Sequence, residues 1–356
     1  MSHQLLTTFP HDPLLDLAPW VGQRQASYRF ELFNGVTGEE LGRIYPLRGA
    51  SLTHDTTRTI KRQLNLNLGV VDTALIDPVT NRVRVFMEFP SGASFPLGVY
   101  MFTDASRQKY TVGELGTMAL SDEMFLVDQQ ISTGIAGLGL GTTDVIQKTL
   151  DGLPITYHVV PSPYTAAESW TVGASRGQIL EQLSVSGDYF SPWFDNAGVL
   201  RFIRTFDPAS RLPDLDFDDH PRVIREPIIL TNDLISAPNR FIVISNSARD
   251  TSQEVVGTYD VPPTAPHSLA RRGFLISSVQ TLPLSDGAQA QAVAVGLGMR
   301  QTIFERVNLV TAPDPRHDSY NVIKWDGELW LEIAWSMALT EGGSMSHLLR
   351  RAYSRD

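Results

Sequence analysis

The sequence contains no cysteine, and this absence removes several classes of site. Without thiols the chain has no disulfide framework, no thiolate metal ligand and no cysteine nucleophile. No apolar run approaches the ~18 residues that a membrane-spanning helix needs, so we expect no membrane span. The N-terminus lacks a basic region followed by an apolar core, so we expect no signal peptide.

Charge is also scarce, and its balance is acidic. Charged residues make up 19% of the 356 residues, and the formal net charge is −10. A protein that binds nucleic acid without regard to sequence needs a basic surface to displace counterions, so this class is disfavoured. With 42% hydrophobic residues, 22 prolines and 27 glycines, the composition indicates a β-rich globular chain of two or three domains.

The clearest strand lies near the end of the chain. From Leu329 to Leu339, apolar side chains occupy every second position, which predicts a strand with one strongly apolar face. Upstream, Ser285-Asp286 opens a small-residue run and predicts a helix N-terminus. Residues 340–343 predict a turn, and 344–353 the returning strand. We expect one helix packed on a strongly curved sheet, with Leu329–Leu339 in its core.

Short strands also fill the region from 28 to 120. Apolar residues occupy every second position from Leu64 to Val70 and from Val83 to Phe89, with a turn at 77–81 between the two runs. Several short strands with almost no helix predict a barrel or a sandwich.

The segments between and before these regions differ in character. Residues 131–206 predict an α+β module, with a glycine hinge at 134–141, a helix capped by Thr142 or Thr143, a helix at 176–186 and a hairpin. Residues 207–227 are acidic and Pro-rich and predict an extended linker on the surface. Residues 1–23 are Pro-rich and predict either a disordered leader or an arm that docks on a neighbouring subunit.

This order of features resembles that of phage tail hub proteins, the central baseplate or tail-tip chains whose relatives include the late-control D proteins. The matching features are the helix after Ser285, the segment 305–310, the loop 312–320, the long strand and the end at 342–351. Segments 51–68, 97–102 and 121–128 resemble the family's first barrel. The resemblance implies a mainly β fold: an arm (1–23), a first tube-like barrel (24–130), an α+β middle domain (131–206), a linker (207–227) and a second barrel (228–356).

The same resemblance implies a structural, non-enzymatic protein of the virion, made in the host cytoplasm and placed at the distal end of the tail. It implies a homotrimer whose six barrels form a pseudo-sixfold ring. Such a ring joins a hexameric tail-tube ring above to tail-tip fibre or spike proteins below. It also lets the tape-measure protein and then DNA pass without specific binding. A receptor-binding β protein is a further alternative.

The pentapeptide Gly173–Gly177 fits the Gly-x-Ser-x-Gly pattern of a hydrolase nucleophile, in the required strand, turn and helix context. It raises the alternative of a tail-tip hydrolase that uses Ser175. The alternating strands and helices of a hydrolase fold are missing, however, and Ser175 with Gln178 three residues later forms a capping box. We therefore expect Ser175 to be a helix cap.

Other patterns fall short of a metal or cofactor site. Asp214–His220 is rich in carboxylates, but it lacks the glycine and the glutamate that a calcium-binding loop requires. Two interpretations remain: an acidic linker, or an opportunistic calcium or magnesium site. No histidine pair has metal-ligand spacing, and the glycines at 137–141 do not complete a dinucleotide fingerprint. The basic groups at 58–62, 271–272 and 350–351 predict surface ion pairs. We therefore expect no catalytic, cofactor-binding or metal-binding residues.

Overall fold

A computed structural model gives the fold of residues 26–69, 76–110, 113–218, 225–245, 256–301 and 304–353. The predicted arm at 1–23 lies outside these described residues. Strands dominate and helices are few, so the predicted mainly β fold with an α+β insert is confirmed. Within the described ranges, every helix is too short or too polar to cross a membrane.

Seven strands in the first third of the chain curl around one core. They pair antiparallel in the order third, fourth, seventh, sixth, fifth, first, second. Only Tyr45 separates the second strand from the third, so the two ends of this order come back together. The strands are β1 (Ser27–Asn34), β2 (Glu40–Ile44), β3 (Pro46–Asp55), β4 (Arg62–Gly69), β5 (Asn81–Glu88), β6 (Ser94–Tyr110) and β7 (Gly113–Ser121).

The alternation in β4 shows how the sequence sets the inner face. Leu64, Leu66 and Leu68 are fully buried in the core, and the asparagines between them point away from it. Successive side chains of a strand point to opposite faces, so the predicted alternation is confirmed for these positions. Val70, the last member of the predicted series, lies outside the described residues.

The middle module is the predicted α+β insert. Its helices and strands pack around a core of their own, with a three-stranded sheet in the order β8-β10-β9. The elements are α1 (Met124–Val127), α2 (Thr142–Leu150), β8 (Thr156–Val159), α3 (Arg176–Ser186), β9 (Trp193–Phe194) and β10 (Val199–Phe202). The hairpin turns at 195–198, where Asp195 Oδ1 accepts from the amides of Ala197 and Val199.

Two local predictions for this module are wrong. The N-cap of α2 is Gly141, while the hydroxyl of Thr142 donates to the Tyr164 carbonyl and that of Thr143 accepts from the Ser162 amide. The glycines before it do not form a hinge, because backbone hydrogen bonds tie this segment to 165–170. A Cβ at Gly137 would stand 2.7 Å from the Trp170 ring, so glycine permits close contact there.

The last part of the chain forms two sheets. After a 3-10 turn at Pro208–Ser210, strands β11 (Leu215–Asp216) and β12 (Arg225–Asn232) join the large sheet, and β13 (Arg240–Ser245), β14 (Val256–Asp260) and β15 (Ser277–Leu282) form a separate one. The remaining elements are α4 (Leu269–Arg272), α5 (Gly287–Gln301), β16 (Glu305–Thr311), β17 (Val322–Trp325), β18 (Glu328–Leu339) and β19 (Met345–Arg351).

The small-residue run predicted to be a helix is α5, and Asp286 accepts from the Gln289 amide at its start, as expected for the cap. This helix packs on β14 at very short range. A Cβ on Gly298 would lie 2.2 Å from the Tyr259 ring, and one on Gly257 would meet the backbone of α5 at Ala290. The small residues therefore allow helix and sheet to touch.

Strand β18 joins the two β regions into one sheet. Its second half pairs with β3, from Ala334 opposite Asp55 to Leu339 opposite Ala50, and its other edge pairs with β19. A bulge near Ile333 shifts the register, so buried residues are consecutive there instead of alternating. As a result Trp335, Met337 and Leu339 lie in the core of the first seven strands. Trp330 lies in a second core, together with Val307, Leu309 and Leu349. The sequence predicts this strand as the core of the second barrel, and the structure corrects that prediction, because the strand contributes to both cores.

Candidate assembly surface and functional residues

Ser175 is the N-cap of α3, as the sequence predicts. Its hydroxyl accepts from the Gln178 amide at 3.2 Å and donates to Asp128 Oδ1, and its backbone is extended, with φ −72° and ψ 129°. A nucleophile elbow would instead need a strained turn and a histidine base beside the hydroxyl. The hydrogen-bond partners of Ser175 are those of a cap.

Replacing Ser175 with Ala is expected to leave the Gln178 amide without its hydrogen-bond acceptor. The free energy of unfolding should fall by about 1 kcal/mol. Chemical denaturation of the purified variant measures this loss. Ser175→Thr is the matched control, because it keeps an oxygen at the cap. If Ser175→Ala instead abolished a measured hydrolytic activity of the protein, the cap would be an insufficient account of this residue.

The carboxylates at 214–218 are part of the sheet, and the prediction of a surface linker is wrong here. Leu215 and Phe217 are buried in the second core, and β11 pairs parallel with β17. The carboxylates face the backbone of β17 and its turn: Asp214 accepts from the Val322 amide at 2.8 Å, and Asp218 accepts from the amides of the turn at 326–327. Asp219 and His220 lie outside the described residues.

The basic stretch at 58–62 is also not what its composition suggests. Arg58 is exposed and pairs with Asp55, but Lys61 and Arg62 are 2% and 1% exposed. The Lys61 ammonium donates to the Arg58 carbonyl and, at 2.7 Å, to the hydroxyl of Ser191 in the middle module. Burial lowers the pKa of Lys61. The prediction of surface ion pairs is therefore wrong for this part of the stretch.

Arg62 lies where three parts of the chain meet, and we name its group the Arg62 junction: Arg62, Asn196, Asp318 and Trp193. The Arg62 guanidinium pairs with the Asp318 carboxylate of the C-terminal loop and donates at 2.6 Å to Asn196 Oδ1 of the middle module. Trp193 donates its indole N–H to Asp318 at 3.1 Å. A buried charge is tolerated only when it is paired and hydrogen-bonded, so this junction holds the first sheet, the middle module and the loop together.

The basic pairs at 271–272 and 350–351 also contain arginines that bind backbone carbonyls within the protein. Arg350 is 2% exposed, and its guanidinium donates to the Met299 carbonyl of α5, so the surface prediction is wrong for it; burial lowers its pKa to about 10. Arg272 donates to the carbonyls of Ala237 and Leu234 and thereby ties α4 to the loop after β12. These arginines are structural.

Both ends of the large sheet are edge strands. Among the described strands, β2 pairs only with β1 and β12 only with β16. Each end carries exposed apolar side chains. At the β2 end these are Leu41 and, directly after the strand, Tyr45; at the β12 end they are Ile229, Leu230, Leu234, Ile235, Phe274 and Leu275. We call the second group the β12 patch. Leu234 and Ile235 are 66% and 80% exposed, and exposed apolar side chains beside a strand with one free edge are typical of interaction surfaces.

One group of metal-ligand type is found among the described residues, and the sequence did not reveal it. His317, Glu332 and His347 come from a loop and two strands, and their nitrogen and oxygen atoms lie within 4.8 Å of one another. Their distances along the chain match no local ligand motif. The register of β18 and β19, set by the bulge, brings them together.

Comparison with known proteins shows likeness at the level of the fold. No family model and no curated protein matches the chain. It is similar to the tail protein from Neisseria meningitidis MC58, with 14% identity and a TM-score of 0.57 over 91% of this chain and 97% of that one. It is also similar to the prophage MuSo2 43 kDa tail protein from Shewanella oneidensis, with 12% identity and a TM-score of 0.58 over 92% of this chain and 100% of that one.

A third similar structure is the E. coli c3393 protein, a component of the type VI secretion system that exhibits structural similarity to the T4 bacteriophage tail proteins gp27 and gp5. It is 9% identical, with a TM-score of 0.50 over 94% of this chain and 76% of that one. The chain thus has the fold of phage tail proteins, as the resemblance in its sequence predicts.

Proposed function

We propose that this protein is a structural tail hub subunit of a tailed phage. Three copies form a pseudo-sixfold ring at the distal end of the tail, which joins the hexameric tail tube to the tip proteins and lets the tape-measure protein and DNA pass. The observation that carries the proposal is the single sheet that runs through both β regions and ends in two apolar edge strands. The likeness to tail proteins supports it.

The two sheet ends explain how a ring forms. A ring with cyclic symmetry of order three is built from contacts between unlike surfaces, because each subunit presents one surface to the next and a different one to the previous. The β2 end and the β12 patch are two such surfaces, at opposite ends of one strand order. Contact between them would cover exposed apolar side chains and protect both edges.

The distribution of charge suits a conduit for DNA. The net charge is −10, and several arginines are turned inward: Arg62, Arg82 and Arg350 are each at most 7% exposed. Each phosphate neutralised by a basic side chain adds affinity through counterion release, so a basic wall would hold DNA back. A channel wall with few exposed basic side chains would let DNA pass without being held.

Replacing both Leu234 and Ile235 with Glu is expected to leave the fold intact and to prevent ring formation. Both side chains are largely exposed, so the monomer loses little stability, while two carboxylates in an apolar contact are desolvated without partners. Light scattering after size exclusion measures the mass. The matched control is Val79→Glu, at a side chain that is 80% exposed in the turn before β5. A double variant that stays trimeric would remove the β12 patch from the interface.

A further inference from the structure

The geometry points to a binding site for one divalent transition-metal ion of the zinc class, held by His317, Glu332 and His347. We propose that the ion joins the loop at 312–318 to strands β18 and β19. This inference does not depend on the proposed tail function, because it rests on the side chains of this cluster alone.

The donor atoms lie within 4.8 Å of one another. His317 Nδ1 lies 2.7 Å from Glu332 Oε2, and His347 Nδ1 lies 2.6 Å from Glu332 Oε1. Each histidine thus turns the same nitrogen toward a different oxygen of one carboxylate. Two imidazole nitrogens and a bidentate carboxylate supply four donor atoms, and this nitrogen and oxygen set suits zinc and its neighbours in the first transition row.

The hydroxyl of Thr311 gives His347 a partner outside the cluster. Its oxygen lies 2.8 Å from the Ala312 carbonyl and 2.8 Å from His347 Nε2. When the hydroxyl donates to the carbonyl, it accepts from Nε2–H, and the Nδ1 lone pair of the neutral ring then faces a carboxylate oxygen at 2.6 Å. In that tautomer Nδ1 is ready to bind a metal ion. This is also the arrangement in which an outer hydrogen bond orients a metal-ligating histidine.

The surroundings are enclosed and held in place. All three side chains are at most 2% exposed, and the Phe217 ring packs against both histidines at centroid distances of 5.8 and 6.2 Å. The loop that carries His317 is fixed by Asn196, whose amide donates to the carbonyls of Pro315 and His317 at 3.0 Å each. Glu332 and His347 lie on paired strands. A site held in this way loses little conformational freedom when an ion binds.

Binding exchanges protons for the metal. The nitrogen–oxygen separations of 2.6–2.7 Å are hydrogen-bond distances, so the ion enters by displacing the shared protons and moves the donors apart by a few tenths of an ångström. The carboxylate and two neutral imidazoles then carry the ion, and the displaced protons leave to solvent. Because of this enclosure, the ion has a structural role, with no position open for a substrate.

The test uses the full chain without an affinity tag, stripped with a chelator and then loaded with Zn²⁺ or Co²⁺. We expect one equivalent of metal per chain after dialysis, a visible Co²⁺ absorption of the strength typical of four-coordinate sites, and a higher melting temperature with Zn²⁺ than with chelator. Glu332→Gln keeps the shape and removes the charge, and it is expected to weaken Zn²⁺ binding by about 100-fold or more. His158→Gln, at an exposed histidine of β8, is the matched control and should bind as the parent does.

Three results would overturn the site, and none of them requires a variant that folds. They are less than a tenth of an equivalent of metal in the dialysed parent chain, a Co²⁺ spectrum of the hydrated ion, and a melting temperature that is the same with Zn²⁺ and with chelator. A Glu332→Gln chain with native circular dichroism and undiminished affinity would also overturn it. Loss of the metal without loss of ring assembly would leave the proposed function standing.

Discussion

Replacing Met337 with Asp is expected to unfold the whole chain rather than its C-terminal part alone. Met337 is 1% exposed and lies in the core of the first sheet, although it belongs to β18, near the end of the sequence. An unpaired carboxylate in this core costs more than about 4 kcal/mol, a large part of the stability of a typical domain. Because β18 pairs with β3 and β19, loss of this strand opens both regions.

Circular dichroism and limited proteolysis of Met337→Asp check this result. We expect rapid digestion of the first sheet as well as of the C-terminal region. The matched control is Ser336→Asp, one residue away on the opposite face, where the hydroxyl meets that of Ser346 near solvent. This control should lose about 1 kcal/mol or less. A Met337→Asp chain with an intact, protease-resistant first sheet would show that the two regions fold separately.

Replacing Arg62 with Met is expected to lower the free energy of unfolding by about 3–5 kcal/mol. The methionine fills much of the space, but it leaves the Asp318 carboxylate buried without its cation and Asn196 Oδ1 without its donor. Breaking a buried ion pair on one side is costly because the remaining charge has no solvent to stabilise it. Denaturation with urea measures the loss.

Two companion variants separate this effect from a general loss of charge. Arg58→Met, in the same segment, removes an exposed arginine that pairs with Asp55 and should cost at most about 1 kcal/mol. The double variant Arg62→Met, Asp318→Asn should recover about half of the loss or more, because no net charge stays buried. Equal losses in the single and double variants would contradict the role of Asp318 as the partner.

The sequence predicted the elements whose signals are local. The alternation at Leu64, Leu66 and Leu68 follows from the period of a strand, and Ser175 and Asp286 were recognisable as caps from their neighbours. The resemblance to tail hub proteins supplied the fold class, because it depends on the order of elements along the chain.

Burial of charge could not be predicted, since it depends on contacts between distant segments. The sequence predicts Lys61 and Arg62 as part of a basic surface stretch. Both are buried because they bind Ser191, Asn196 and Asp318, which lie more than a hundred residues away in the sequence. The segment 214–218, which contains β11, did carry a signal. Leu215 and Phe217 alternate with three aspartates, and this period of two outweighs the acidic composition.

The cluster of His317, Glu332 and His347 had no signal of this kind. Its members are fifteen residues apart in each case, and the bulge in β18 decides which side chains of β18 and β19 face each other. A bulge shifts the register by one residue, and the alternating pattern from Leu329 to Leu339 gave no sign of it. Sites built across strands therefore require the structure.

The native mass of the purified chain, together with class averages of intact tails, tests the central claim most directly. We expect a particle of three times the 39.4 kDa chain mass and, at the distal end of the tail, a ring with threefold symmetry between chains and six similar β lobes around a channel. A chain that remains a monomer at the concentration of assembled tails, or a hexamer in the tail, would contradict the proposal that this protein is the hub.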